Sequence, residues 1–163
     1  YASAIVKSNL SFDVLFGPAY KGIPLVSATA IALSKEHDLE KPFVFNRKEE
    51  KQHGEKGLLV GSNLEGRVLV IDDVITAGTA IKEVVEIIRS TNALISGVAV
   101  ALDRQERGSA ELSAIQEIEE MLGISVISIV SLEDIISYLE LSHDKELKSS
   151  LERVKSYQNL YGV

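Results

Sequence analysis

The sequence predicts an α/β fold on a mixed sheet, mostly parallel with one antiparallel strand. Short continuous apolar runs such as Val68 to Ile71 and Ile95 to Leu102 alternate with segments of 3.6-residue apolar spacing, the signature of covered strands and their helices. The connection from Arg47 to Gly57 has no apolar periodicity, unlike a crossover helix, so it joins an antiparallel pair. With 163 residues, 45% of them hydrophobic and no low-complexity tract, the chain can bury one sizeable core. It reads as a single domain from 1 to 163, without internal repeat or linker.

The chain enters directly into helix-like sequence (Ala2, Ile5, Val6). Asp13 to Phe16 reads as the first strand and Lys21 to Glu36 as a helix, with Gly17 and Pro18 marking the turn between them. Pro42 to Asn46 is the second strand and Leu58 to Val60 a short third, joined by a long mobile loop. Val68 to Ile71 follows as a strand. Ile81 to Arg89 is then a helix, on the spacing of Ile81, Val84, Val85 and Ile88. Ile95 to Leu102 and Ser125 to Val130 are two further buried strands around a helix from Ala110 to Leu122. A helix near Leu132 to Leu141 and an amphipathic one near Lys145 to Gln158 complete the chain.

Composition excludes several functions. A net charge of −7 and a pI near 5.0 argue against an extended nucleic-acid surface, which needs clustered Lys and Arg. Zero cysteines exclude disulfides and thiolate zinc sites. No apolar run approaches the ~20 residues of a membrane span, and Tyr1 to Leu10 lacks the pattern of a signal peptide. A cytoplasmic location without a membrane partner is the default expectation.

The chemistry concentrates in Arg67 to Ala80, RVLVIDDVITAGTA. A buried strand delivers Asp72 and Asp73 at its C-terminal end, where parallel sheets present ligands. The small-residue loop of Thr76, Ala77, Gly78 and Thr79 then opens onto a helix N-terminus, whose free N–H groups and dipole favour a phosphate. Carboxylates facing that phosphate would repel it, so they point at hydrogen-bond donors such as vicinal hydroxyls. A ribose 5-phosphate offers both parts. Neither a GK[ST]-terminated loop nor GxGxxG is present, which weakens kinase and dehydrogenase readings. The plain alternative, a helix-capping Asp72 beside a solvated Asp73, fits a bare acidic pair but leaves the ITAGTA tail unexplained.

Two further loops join it. The Gly17 to Gly22 turn (GPAYKG) follows the first strand as the acidic loop follows its own, so the two line one cleft, where Lys21 adds positive charge. The loop from Arg47 to Gly57 carries Arg47, Lys48, Lys51, His53 and Lys56 among three glutamates. Its length, glycines and charge suit a lid that closes over an anion, or else an ordinary solvated loop. Arg104 follows the strand Ile95 to Leu102 and should emerge at the same edge. A guanidinium there suits an anionic substrate through paired hydrogen bonds, or forms an ion pair with Asp103 or Glu106.

These motifs carry a resemblance. VLVIDDVITAGTA resembles the ribose-phosphate signature of type I phosphoribosyltransferases, which use 5-phosphoribosyl-1-pyrophosphate (PRPP). LFGPAYKGIP (Leu15 to Pro24), FNRKEEKQHGEKG (Phe45 to Gly57) and LDRQERG (Leu102 to Gly108) resemble the orotate phosphoribosyltransferase branch, with similarity running from near Phe12 to the C-terminus. The resemblance implies a three-layer α/β/α core. It also implies transfer of phosphoribosyl from PRPP to orotate, giving orotidine 5′-monophosphate and pyrophosphate in pyrimidine (UMP) biosynthesis, with Mg²⁺ held mainly by PRPP, pyrophosphate and water rather than by a protein-only site. It assigns PRPP contacts to Tyr20, Lys21, Arg47, Lys48, Lys51, His53, Asp72 and Asp73 and to the run Val74, Ile75, Thr76, Ala77, Gly78, Thr79 and Ala80. Orotate contacts fall on Thr76 and Arg104, and catalytic roles on Asp72, Asp73 and Lys51. A non-proline cis peptide is implied in the GPAYKG loop, and a homodimer in which the mobile loop reaches the partner's site.

The sequence departs from the family pattern at Glu50, Gln52 and Lys56, where Ala, Asp and Gly are more usual, and Lys56 would stiffen the hinge. The family also has an N-terminal hood over the site, so this chain is expected to be the catalytic core without it. Two alternatives are a PRPP-binding regulator, which would need a winged-helix extension or a basic face, and a phosphoribosyltransferase for another base, which the orotate-like segments count against.

Overall fold

The computed structural model describes residues 1–51, 57–75, 79–109 and 111–163, apart from the side chains of Glu50, Lys51, Thr79 and Ala80. In chain order the elements are α1 (Ala2–Ser8), β1 (Val14–Gly17), α2 (Gly22–His37), β2 (Phe43–Lys51), β3 (Gly57–Gly61), β4 (Glu65–Val74), α3 (Thr79–Arg89), β5 (Asn92–Asp103), α4 (Ala114–Leu122), β6 (Ser125–Ser131), α5 (Leu132–Leu141), α6 (Lys145–Ser149) and α7 (Leu151–Tyr161). The strands form one six-stranded sheet in the order β3-β2-β1-β4-β5-β6. Every neighbouring pair is parallel except β2 and β3, which are antiparallel.

Strand β4 shows why three layers form. Val68, Leu69, Val70 and Ile71 are all 1% exposed or less, yet successive side chains leave a strand on opposite faces. Val68 and Val70 join a core with Ile81, Val84 and Ile88 of α3 and Ile115 and Ile118 of α4. Leu69 and Ile71 join a second core on the other face, with Ile5 of α1 and Val26, Ala30 and Leu33 of α2. Burying each of these side chains stabilises the fold by roughly 1.5–3 kcal/mol. Register then aligns the strand ends: Phe16 lies opposite Val70, Gly17 opposite Phe45, and Val74 opposite Leu102.

Strands β4 and β5 each begin three residues before the expected start, and three further elements differ more. Strand β2 runs through Lys51 instead of ending at Asn46, because its pairing resumes after a register irregularity with Lys51 opposite Gly57. Half of the expected mobile loop is therefore strand. Helix α4 starts at Ala114, not Ala110, because Ser113 caps it: its hydroxyl accepts from the Gln116 N–H while the Gln116 side chain accepts from the Ser113 N–H. The final amphipathic helix divides into α6 and α7 around Ser150. There the Ser149 hydroxyl donates to the Glu146 carbonyl, the local competition by which serines interrupt a helical ladder. No helix among the described residues is long and apolar enough to cross a membrane.

Candidate functional site

Strands β2, β1, β4 and β5 are neighbours and run parallel, so their C-terminal ends share one sheet edge. The turn after β1, the acidic pair at the end of β4, the Arg104 loop after β5 and the basic end of β2 all open onto it. The sequence motifs lie far apart in the chain; the sheet order gathers them.

The turn after β1 is held by its glycines and by a neighbouring strand. A Cβ on Gly17 would collide with the Gly22 carbonyl, and one on Gly22 would meet the Pro18 ring, so both positions exclude larger residues. The Gly22 N–H donates to the Pro18 carbonyl at 2.9 Å. The Ala19 N–H donates to Oδ1 of Asn46, a buried side chain on β2, at 2.8 Å. The Ala19–Tyr20 peptide is cis, and the Tyr20 side chain stands 72% exposed.

Across the cleft, the Lys21 ammonium donates to Oδ2 of Asp73 at 2.5 Å, tying the turn to the acidic pair. Asp72 is more deeply set, beside a cavity of about 20 Å³ lined by apolar residues that include Val70, Ile75 and Ile81. The two carboxyls consequently diverge. Burial, with a smaller contribution from the Asp73 charge, pushes Asp72 up to about 6, although the Asp73 N–H donates to its Oδ1 at 2.9 Å. Burial, the largest single influence, acts to raise Asp73, but the Lys21 hydrogen bond and charge, the Val74 N–H and the Asp72 contact together outweigh it and hold Asp73 below the ordinary carboxylate value. The bond to Asp73 in turn raises Lys21.

Two supporting residues were not foreseen from sequence. Tyr1 donates its hydroxyl to the Asp72 carbonyl at 2.7 Å, and burial beside Asp73 and Asp72 pushes its phenol up to about 12. Asn46 supports the β1 turn as described. Asn46 left one signal, an amide closing the apolar FVFN run; Tyr1 left none, because its partner lies 71 residues away.

The expected cations are partly engaged. Arg47 donates through Nη1 to the Gly57 carbonyl at 3.3 Å, and Lys48 pairs with Glu83 of α3 at 3.1 Å. Both line a cavity of about 460 Å³ between the hairpin and α3. Lys51 lies on β2 opposite Gly57, its side chain outside the described residues. His53, Thr76, Ala77 and Gly78 also fall outside them, as do the side chains of Thr79 and Ala80, which begin α3. Val74 ends β4 and Ile75 follows it, both half-buried.

Arg104 stands just beyond β5 and pairs through Nη2 with Glu106 at 2.6 Å. Its Nε is buried and has no acceptor among the described residues. A buried donor left this way costs about 1–3 kcal/mol unless a ligand oxygen takes it. A larger cavity of about 620 Å³, between α3 and residues 109–121, includes none of the expected site residues.

The model of the phosphoribosyl transferase domain matches residues 1–130. The chain is 59% identical over all 163 residues to the orotate phosphoribosyltransferase of Pseudomonas savastanoi pv. phaseolicola, spanning 76% of that protein. It is 58% identical, over the same spans, to the orotate phosphoribosyltransferase of Vibrio cholerae. The crystal structure of the Francisella tularensis orotate phosphoribosyltransferase superposes on the whole chain with a TM-score of 0.84 at 38% identity, covering 77% of that chain. With its six-stranded, mostly parallel sheet between helical layers, the chain belongs to the orotate phosphoribosyltransferases, on the type I phosphoribosyltransferase fold.

Proposed function

We propose that the shared sheet edge transfers the 5-phosphoribosyl group from PRPP to orotate, releasing pyrophosphate and giving orotidine 5′-monophosphate for UMP synthesis. One observation carries the site assignment: four motifs with complementary charges open at one edge, with Lys21 bridging to Asp73. Chain 1–163 acts in this reading as one catalytic domain.

Displacement at the anomeric carbon develops positive charge on the ribose and negative charge on the leaving group. Asp72 and Asp73 hold the ribose hydroxyls and face the former, while Lys21, Arg47, Lys48, Lys51 and His53 serve the latter. Before PRPP binds, Lys21 neutralises Asp73; on binding, hydroxyls replace the ammonium and Lys21 turns to pyrophosphate. Tyr20 and residues Val74, Ile75, Thr76, Ala77, Gly78, Thr79 and Ala80 complete the PRPP cradle, with the start of α3 directing free N–H groups at the 5′-phosphate. Thr76 and Arg104 receive orotate, whose carboxylate supplies the acceptor that Arg104 Nε lacks. Lys51 is the catalytic cation.

The donor set suits magnesium, since Asp72 and Asp73 offer hard oxygen atoms at one strand end. PRPP, pyrophosphate and water would supply most of its ligands, with the acidic pair beside them. When bound, the ion neutralises charge on the departing pyrophosphate. We further place the enzyme in the cytoplasm as a homodimer whose β2–β3 hairpin reaches the partner's site.

The test is pyrophosphate release from PRPP on addition of orotate. Release that requires orotate, and is not elicited by adenine or uracil, is the expected result. No release, or release independent of the base, would contradict the assignment.

A further inference from the structure

We infer that residues 161–163 are a clamp that positions Arg104, and thereby set affinity for the acceptor base without affecting the sugar donor. The inference rests on the assignment of Arg104 to orotate made above.

The loop that carries Arg104 is held in part by distant segments. It follows β5, and Gln105 sits in the left-handed region at φ 50, where a residue with a side chain is disfavoured. The Arg107 N–H donates to the Tyr161 carbonyl at 2.8 Å, and the Val163 N–H donates to the Gln105 carbonyl at 3.3 Å. Glu106 and Gly162 form an antiparallel bridge between these bonds. Arg107 adds a side-chain bond from Nη2 to the Gly162 carbonyl at 3.1 Å. Residues 105–107 and 161–163 are thus a two-stranded ribbon outside the main sheet.

The far side of the loop is fastened to the fold. The Ala114 N–H, at the start of α4, donates to the Glu106 carbonyl at 3.1 Å. The Glu133 N–H, at the start of α5, donates to Oε1 of Gln105 at 2.9 Å. The Gln105 N–H donates to Oδ1 of Asp103 at 2.8 Å. Glu106, held between α4 and Gly162, is the residue whose carboxylate grips Arg104 Nη2 at 2.6 Å. The guanidinium is therefore oriented through Glu106 by a segment more than fifty residues further along the chain. None of these bonds reaches Lys21, Asp72 or Asp73. Residues 161–163 and Glu106 act as positioning elements.

Gly162 offers a small perturbation, because a Cβ there would lie 2.5 Å from the Gln158 carbonyl oxygen and must displace the segment. The test compares Gly162→Ala combined with Arg107→Ala, Arg104→Ala, and all three together, each with KM for orotate and for PRPP. The expected result is an orotate KM raised about tenfold in the clamp variant, with PRPP KM within about twofold. Adding the clamp changes to Arg104→Ala should raise orotate KM no further, since the clamp acts through that guanidinium. An unchanged orotate KM, a parallel rise in both constants, or an effect that adds to Arg104→Ala overturns the inference. Should the combined variant not fold, Arg107→Ala alone, which deletes one exposed donor, is judged by the same ratio and the same additivity. An orotate KM unmoved by Arg104→Ala would instead overturn the assignment of Arg104.

Discussion

The two sides of the cleft are built on different principles. The acidic wall assigned above to the sugar donor is carried by β4, in the middle of the sheet, with Val68 to Ile71 buried from both faces. The acceptor side projects Arg104 from a loop held by hydrogen bonds to α4, α5 and residues 161–163. A sugar diphosphate needs many fixed dipoles and charges, which a strand end and helix start provide together. One carboxylate on a planar base needs a single oriented guanidinium, which a fastened loop can supply. Donor binding should therefore depend on local charge, and acceptor binding on distant contacts.

The largest expected effect lies on the donor side. Asp72→Asn with Asp73→Asn should weaken PRPP binding by several kcal/mol, at roughly 1.5–3 kcal/mol for each charged hydrogen bond, as read by calorimetry. Unchanged affinity would remove the ribose assignment. Next, Lys51→Ala should lower turnover by about 10²-fold, by analogy with loss of a transition-state donor. A wild-type rate in single-turnover kinetics would reduce the β2–β3 hairpin to a surface feature.

A smaller effect separates the two carboxyls. Asp72 titrates near 6 in the folded chain against an ordinary value of 3.8, so between those values the folded state holds a proton that the unfolded state lacks. Stability from this group therefore falls as pH rises through that window, and Asp72→Asn should flatten that part of a urea-unfolding profile. Asp73 has the opposite sign: its folded value is lowered, so its contribution is present at neutral pH and is lost on acidification below the ordinary carboxylate range. PRPP affinity should correspondingly rise with pH through about 6, by an increment that Asp72→Asn abolishes. A profile identical in both proteins would show that Asp72 does not meet the ribose as a carboxylate.

The contrast also explains what could be read from the sequence. Strand β4 and the acidic pair at its end were legible because the apolar run and the two carboxylates are consecutive, and each carries its own local signal. The antiparallel β2–β3 pair was legible from a connection too irregular for a crossover. The length of β2 was not, since Arg47 to Lys51 extend a hairpin at the sheet edge and need no apolar alternation. The start of α4 was legible in principle, because Ser113 and Gln116 spell a capping box, though the expectation placed it at Ala110. Tyr1 beneath Asp72 and residues 161–163 beside Arg107 were beyond reach: contacts across tens of residues leave no local periodicity.

The separation of the two sides is tested most directly by titrating PRPP into the Arg104→Ala protein and into the Asp72→Asn, Asp73→Asn protein in parallel. Donor affinity close to that of the unmodified chain in the first and lost in the second is the predicted result. Equal losses in both would contradict it, and would mean that the two walls form one cooperative surface.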